Sequence, residues 1–314
     1  MVNVLIGILQ AVAVIVVAPF FSGLARVVRA KITSRKGPDV WQDYRDLAKL
    51  LHRQEVRSTK SSFVLRIMPA LFFAVMVVLA MGIPMITQAS PIPLLGDIIT
   101  IIYLMALPRF FFSLAALDTS SAYGGVGGIR ELIVGVLVEP TMLLSLFATA
   151  LACGSTNVGV MGAAVASGTA AAPVAIVLAA VAFGLACYVE LGKVPFDMAE
   201  AEQELQEGPL AEYSGPSLAL LKLAMGMKQV LVVAWFVSIF LPFGAMGVPA
   251  TVLGGIGGFI LGVVVFCLKM LVLFLIINVV ESSVVRVRYK LVGSQTWAIF
   301  GVSVLSFVFV IVGV

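Results

Sequence analysis

Apolar runs at residues 3–25, 64–88, 98–117, 131–153, 173–191, 217–241, 252–281 and 297–314 set the terms for this chain. Each is close to the ~20 residues that a helix rising ~1.5 Å per residue needs to cross a hydrocarbon core ~30 Å thick. A backbone inside lipid must satisfy its own hydrogen bonds, so runs of this kind become transmembrane helices. With 61% hydrophobic and 11% charged residues, a soluble domain is excluded. The expected fold class is an all-α integral membrane protein, a single transmembrane domain over 1–314 with eight spans and an amphipathic helix in its first loop.

The basic residues give these spans a direction. Residues 26–66 hold Arg26, Arg29, Lys31, Arg35, Lys36, Arg45, Lys49, Arg53, Arg57, Lys60 and Arg66. By the positive-inside rule this basic loop is cytoplasmic. The loops on the same side carry Arg130, Lys193 and the Arg286, Arg288, Lys290 group, whereas Asp97 is the only charge in the opposite loops around 89–97, 154–172 and 242–251. Both termini are then expected outside. The first run has no cleavage site and reads as a retained helix rather than a signal peptide. The net charge of +4 thus has a topological explanation and does not point to nucleic acid. Cys153, Cys187, Cys267 and the single His52 have no ligand spacing, so neither a metal nor a cofactor is expected in this chain.

Against that frame, residues 192–216 stand out as an acidic cytoplasmic loop. Asp197, Glu200, Glu202, Glu204, Glu207 and Glu212 follow one another with no basic residue between Asp197 and Gly215. Pro195 is expected to stop the preceding helix. Asp197 is then expected to cap a short new helix, with Glu200 in capping-box position, which Gly208 and Pro209 end. In that helix Glu200, Glu204 and Glu207 share a face. A solvated acidic face is the plain reading; a proton-accepting or partner-binding surface at a membrane mouth is the functional one.

In the first loop, Gly37, Pro38 and Asp39 form a turn, and Val40, Tyr44, Leu47, Leu50 and Leu51 then recur near helical period between charges, the pattern of an interfacial helix. The glycine-rich stretch 118–131 lacks phosphate-loop spacing and reads as a flexible turn.

Charges within the spans are costly and mark candidate sites. Arg109 lies ~18 Å in from Asp97 at 1.5 Å per residue, and needs an ion-pair partner or a route to the edge. Glu131 and Glu139 lie ~12 Å apart along their helix and can face one interior file, which Glu190 extends towards the acidic loop. These three, with Asp197, Glu200, Glu202 and Glu204, are candidates for an ion path. Lys228 and Lys269 belong to the same set of ion-path candidates and are each expected to neutralise a carboxylate inside the bundle, whereas Lys222 is expected to reach the cytoplasmic edge.

The run ELGKVPFDMAEAEQELQEGPLAEYSG, residues 190–215, resembles the signature loop of the large membrane-anchor subunit shared by respiratory complex I and the membrane-bound nickel-iron hydrogenases. It is most similar to the hydrogenase 4 and formate hydrogenlyase branch. RKGPDVWQDYRDLAKLL, residues 35–51, resembles the family's arm-contacting loop in its shorter hydrogenase form, without the extra glycines of the complex I version. RVRYKLV, from Arg286, resembles its closing basic motif, with Val285 and Lys290 in place of the family's Pro and Asp.

The resemblance implies a bacterial inner-membrane subunit with both termini periplasmic. Such a subunit anchors a cytoplasmic arm and couples electron transfer to movement of a proton or sodium ion. A nickel-iron centre and iron-sulfur clusters would sit in partner subunits. Those partners would be hydrogenase large and small subunits, iron-sulfur subunits and antiporter-like membrane subunits, together with membrane lipid. Arm-docking candidates are Arg35, Gly37, Pro38, Asp43, Tyr44, Arg45, Asp46, Lys49, Glu207, Glu212, Tyr213, Arg286 and Arg288. The alternatives are the quinone-site subunit of complex I and a stand-alone ion carrier.

Overall fold

A computed structural model describes residues 2–58, 61–199, 201–245 and 252–313. Glu200 and Lys60 lie outside these, and the side chain of Glu202 is likewise outside the described atoms. The helices are α1 Val2–Ile32, α2 Gln42–Leu51, α3 Phe63–Gly82, α4 Ile98–Asp118, α5 Ala122–Cys153, α6 Val158–Ser167, α7 Pro173–Glu190, α8 Glu202–Leu205, α9 Gly215–Phe240, α10 Val252–Ser283 and α11 Tyr289–Val312. Eight of them, α1, α3, α4, α5, α7, α9, α10 and α11, are long and apolar enough to span a membrane, in agreement with the eight apolar runs.

Burial places α9 at the centre. In its most apolar stretch 61% of residues are buried, against 17% in α10 and in α11. Leu221, Met227, Leu231, Trp235 and Ile239 are fully enclosed by α1, α3, α6 and α7. On opposite flanks, α10 lies along α1, and α11 lies in the groove between α5 and α7. Both therefore present broad apolar faces outward, as lipid-facing helices do.

Several local expectations change in the folded chain. The glycine-rich stretch 118–131 is not a flexible turn, because Ser121 caps Gly124 N at 3.4 Å and the chain is helical from Ala122. Its glycines let another segment approach. A Cβ at Gly127 would sit 2.7 Å from Pro209 Cδ and 2.8 Å from Ala199 O, so the acidic stretch rests directly on the start of α5. The loop 154–172 likewise contains α6, capped by Asn157 at Gly159 N, 3.0 Å.

The acidic stretch departs furthest from expectation. α7 ends at Glu190, with Gly192 at φ +62°, before Pro195 is reached. No helix is capped by Asp197, because its carboxylate binds the Arg286 guanidinium at 2.5 Å. Among the described residues of the stretch only Glu202–Leu205 is α-helical, and Gly208 and Pro209 open a 3-10 helix, Gly208–Glu212, rather than closing a longer α-helix. An ion pair to the distant connection between α10 and α11 thus outweighs local capping, which contributes only ~1 kcal/mol.

In the first loop α2 begins at Gln42 and docks on α1 and α9 instead of lying free. Tyr44 Oη donates to Val16 O at 2.5 Å, and Asp43 is buried against Arg26. Beyond α2, residues 53–57 cross the start of α9. There Val56 N donates to Ser214 Oγ at 2.7 Å, Ser214 Oγ donates to Val56 O at 2.8 Å, and Ser217 Oγ donates to Glu55.

Candidate functional site

The charges within the spans converge at one place. On α5, Glu131, Gly135 and Glu139 follow at i, i+4 and i+8, which puts them on one face. Gly135 leaves the gap between the two carboxylates open, and the Arg109 side chain from α4 fills it. A Cβ there would lie 2.6 Å from both Cδ and Nη1 of Arg109. The guanidinium then meets three carboxylates: Nε is 3.5 Å from Glu131, Nη1 is 2.7 Å from Glu139, and Nη2 binds Glu190 at the end of α7. From α9, Lys228 Nζ reaches Glu190 at 2.8 Å and Glu131 at 3.9 Å.

The arithmetic of this cluster matters. Three carboxylates against Arg109 and Lys228 leave one negative charge unbalanced if all are ionised. Arg109 and Glu190 are almost entirely enclosed, with side chains 6% and 3% exposed, whereas Glu139 is 33% exposed. A buried charge without its partner is strongly destabilising. The guanidinium must therefore stay charged and central, and Glu139 is the least enclosed of the three acids.

A cavity of about 270 Å³ leads from the cluster to the face that carries the basic loops. Arg109, Glu131, Glu190 and Lys228 line its inner end, and the pairs Arg29–Glu281 and Asp197–Arg286 line its outer part. A second cavity, about 370 Å³, lies between α2, α1 and α9 and is lined by Arg26, Asp43, Leu47, Glu207 and Lys222 among others. Met225 and Gln229 of α9 line both cavities.

The remaining candidates fall into distinct places. Glu204 leaves the file and pairs with Arg130 at 2.6 Å, and Arg130 also stacks over Tyr289. Among the described residues Lys269 meets no carboxylate; it donates to the carbonyls of Leu241, at 2.5 Å, and Phe243. The expectation that it neutralises an acid is therefore corrected. Those carbonyls lie where α9 ends, and the negative end of a helix offers a cation the same relief.

Of the docking candidates, Arg35, Pro38, Arg45, Lys49, Glu207 and Arg288 are exposed, while Gly37 and Glu212 are half-buried. Asp46 accepts from Gln42 at 2.9 Å, and Asp43, Tyr44 and Arg286 are engaged within the chain. Tyr213 is buried, and burial, with Asp118 nearby, pushes its phenol well above the ordinary tyrosine range. Among the described residues no group of His, Cys, Asp and Glu is arranged to hold a metal ion.

Sequence reasoning missed Gly135 and Trp235. The E-x3-G-x3-E spacing on α5 was a readable signal for the first. For Trp235 the signal was its place seven residues after Lys228, which puts the two on one face of α9.

Comparison with known proteins agrees with this picture. Residues 4–312 match the family described as NADH dehydrogenase. Hydrogenase-4 component C of Escherichia coli (strain K12) is 46% identical over 311 residues, covering 99% of this chain and 96% of that protein. Formate hydrogenlyase subunit 4 of the same organism is 42% identical over 306 residues, covering 98% of each. Among solved structures, a chain of the membrane-bound sulfane sulfur reductase, an archaeal respiratory membrane complex, superposes with a TM-score of 0.87 at 21% identity. That match covers 99% of this chain and 100% of the other, and shows a shared fold.

Proposed function

This chain belongs to the NADH dehydrogenase family, and on that footing we propose that it is the membrane subunit of an energy-converting hydrogenase of the hydrogenase 4 or formate hydrogenlyase type. It sits in the bacterial inner membrane with its basic loops in the cytoplasm and both termini in the periplasm. The nickel-iron centre and iron-sulfur clusters belong to partner subunits, and this chain is the non-catalytic anchor and coupler. Exposed residues in the middle of the first loop, Arg35, Pro38, Arg45 and Lys49, form the docking side for the cytoplasmic arm.

One observation carries the coupling role: the net-negative cluster of Arg109, Glu131, Glu139, Glu190 and Lys228, buried between four helices and open through a cavity to the loop face. An anchor alone has no need of five charges within a bilayer, each costing several kcal/mol unless paired. A site that gains and loses one cation per cycle does. Redox changes in the arm alter the potential in the cavity, and the low-dielectric interior transmits that change over a longer distance than water would.

The test is Glu139→Gln in the whole complex, reconstituted in liposomes. Assembly and hydrogen turnover persist, while ion translocation per turnover falls at least about tenfold, the rate cost of ~1.4 kcal/mol. Full translocation in that variant removes Glu139 from the path.

A further inference from the structure

Because α10 lies along α1 and α11 lies between α5 and α7, residues 284–288, which join them, must cross the loop face from one flank of the bundle to the other. The stretch from Ser283 to Tyr289 reaches at most about 20 Å. It passes over the outer end of the cavity of about 270 Å³, since Arg286, at its midpoint, lines that cavity together with Asp197 and Glu281.

Both ends of the crossing are fixed. Glu281, in the last turn of α10, is buried and pairs with Arg29 of α1. Tyr289, the first residue of α11, has the Arg130 guanidinium of α5 over its ring at 5.2 Å, and Arg130 is held in turn by Glu204. The middle is held differently. Val284 N bonds Val280 O at 3.1 Å and Leu291 N bonds Arg288 O at 2.8 Å, but among the described residues Val285, Arg286 and Val287 make no backbone–backbone hydrogen bond. Val285 is 83% exposed, and Val287 packs against the core. What fastens the centre is the Arg286 guanidinium on Asp197 at 2.5 Å.

This pair differs from its neighbours. Arg26–Asp43, Arg29–Glu281 and Arg130–Glu204 each have both members on helices, whereas Arg286 and Asp197 stand on two separate irregular segments. Their side chains also keep 27% and 18% exposure. Fixed ends, an unbonded middle and one ion pair at the rim make a segment that can lift without any helix moving.

We propose that residues 284–288 are a strap over the mouth of the cavity, latched by Arg286 to Asp197, and that ions reach the buried cluster when the latch parts. The first half stands on the geometry; the second rests on the coupling role proposed above. Latched, the two charges cancel at the rim. Parted, the Asp197 carboxylate is left at the mouth, where it attracts cations and repels anions.

Access to the cavity wall in the intact complex tests this. Val134, buried on that wall, is changed by Val134→Cys, and its modification by a small charged methanethiosulfonate is followed by mass spectrometry. Labelling tracks the open population when opening is fast, so Arg286→Gln is expected to speed it at least about tenfold. The exchanged pair, Arg286→Asp with Asp197→Arg, is expected to slow it again. Arg45→Gln, which breaks a pair within the first loop, is expected to leave it unchanged. Equal rates with and without the latch, or an equal rise in Arg45→Gln, overturn the strap. A rate that stays high in the exchanged pair overturns the latch. Should Arg286→Gln fail to assemble, Asp197→Asn breaks the same pair from the other side and is read in its place. In liposomes Arg286→Gln is expected to lower ion translocation per hydrogen turned over, and faster labelling at unchanged translocation refutes the access role. Faster labelling in Arg286→Gln, with full translocation in Glu139→Gln, would refute the ion path and leave the strap standing.

Discussion

Charge is handled in opposite ways in the interior of the bundle and at its loop face. At the face, ions meet locally and in balance: Arg26 with Asp43, Arg29 with Glu281, Arg130 with Glu204, and Arg286 with Asp197. Inside, Arg109 and Lys228 share three acids, a sum of −1 when all three are ionised. Arg26 and Arg29 remain 46% and 45% exposed even though Asp43 and Glu281 are buried, and each face pair fastens one segment to another one-to-one. In the interior set each member's partner is also another member's partner. Fastening and exchange thus separate by charge count and by the sharing of partners, although the residue types are the same.

The sharpest way to break this contrast is Arg109→Leu. Three carboxylates would then face one lysine, and removal of one partner from a buried ionic set costs about 3–5 kcal/mol. The expected result is loss of the folded chain from detergent extracts, read as yield and Tm. Normal yield would mean that the acids are protonated or solvated and that the cluster is no ionic clamp.

Gly135→Ala probes the same clamp more gently. Its methyl would meet Arg109 at 2.6 Å, so the guanidinium must shift. Overpacking of this kind costs about 1–3 kcal/mol. The chain is expected to fold with a lowered Tm and reduced translocation, and an unchanged protein would show that Arg109 has room to spare.

The smallest effect belongs to the face. The Glu55 carboxylate is held below its ordinary pKa, chiefly by its bonds to Arg57, with Ser217 adding to this against burial. A depressed folded pKa means that its contribution is present above the ordinary carboxylate range and disappears as pH falls through the folded value. Proteolysis within 53–58 is therefore expected to speed up only in acid, and Glu55→Gln to remove that pH dependence while Tm changes by no more than about 1 kcal/mol equivalent. A large Tm loss would make this strap as structural as the interior cluster.

Much of this arrangement was legible beforehand. Long apolar runs can do little else in a membrane, so the eight spans and the helix of the first loop were readable from residue spacing. Arg109, Glu131, Glu139, Glu190 and Lys228 announced themselves as charges in spans that otherwise exclude them. The acidic stretch misled because capping rules are local, whereas Asp197 is claimed by Arg286 from 89 residues away. Lys269 misled because backbone carbonyls at a helix end leave no mark in side-chain chemistry.

By itself the sequence determined that this chain crosses a membrane eight times and which charged residues lie within it, since hydrocarbon admits only self-satisfied helices and penalises every buried ion. Tertiary structure alone decided that four of those helices bring five charges together, three carboxylates around one guanidinium with a lysine shared between two of them. Periodicity fixes the face on which a residue stands, but which faces meet depends on packing among helices far apart in the chain, and there a missing side chain at Gly135 counts as much as the charges around it.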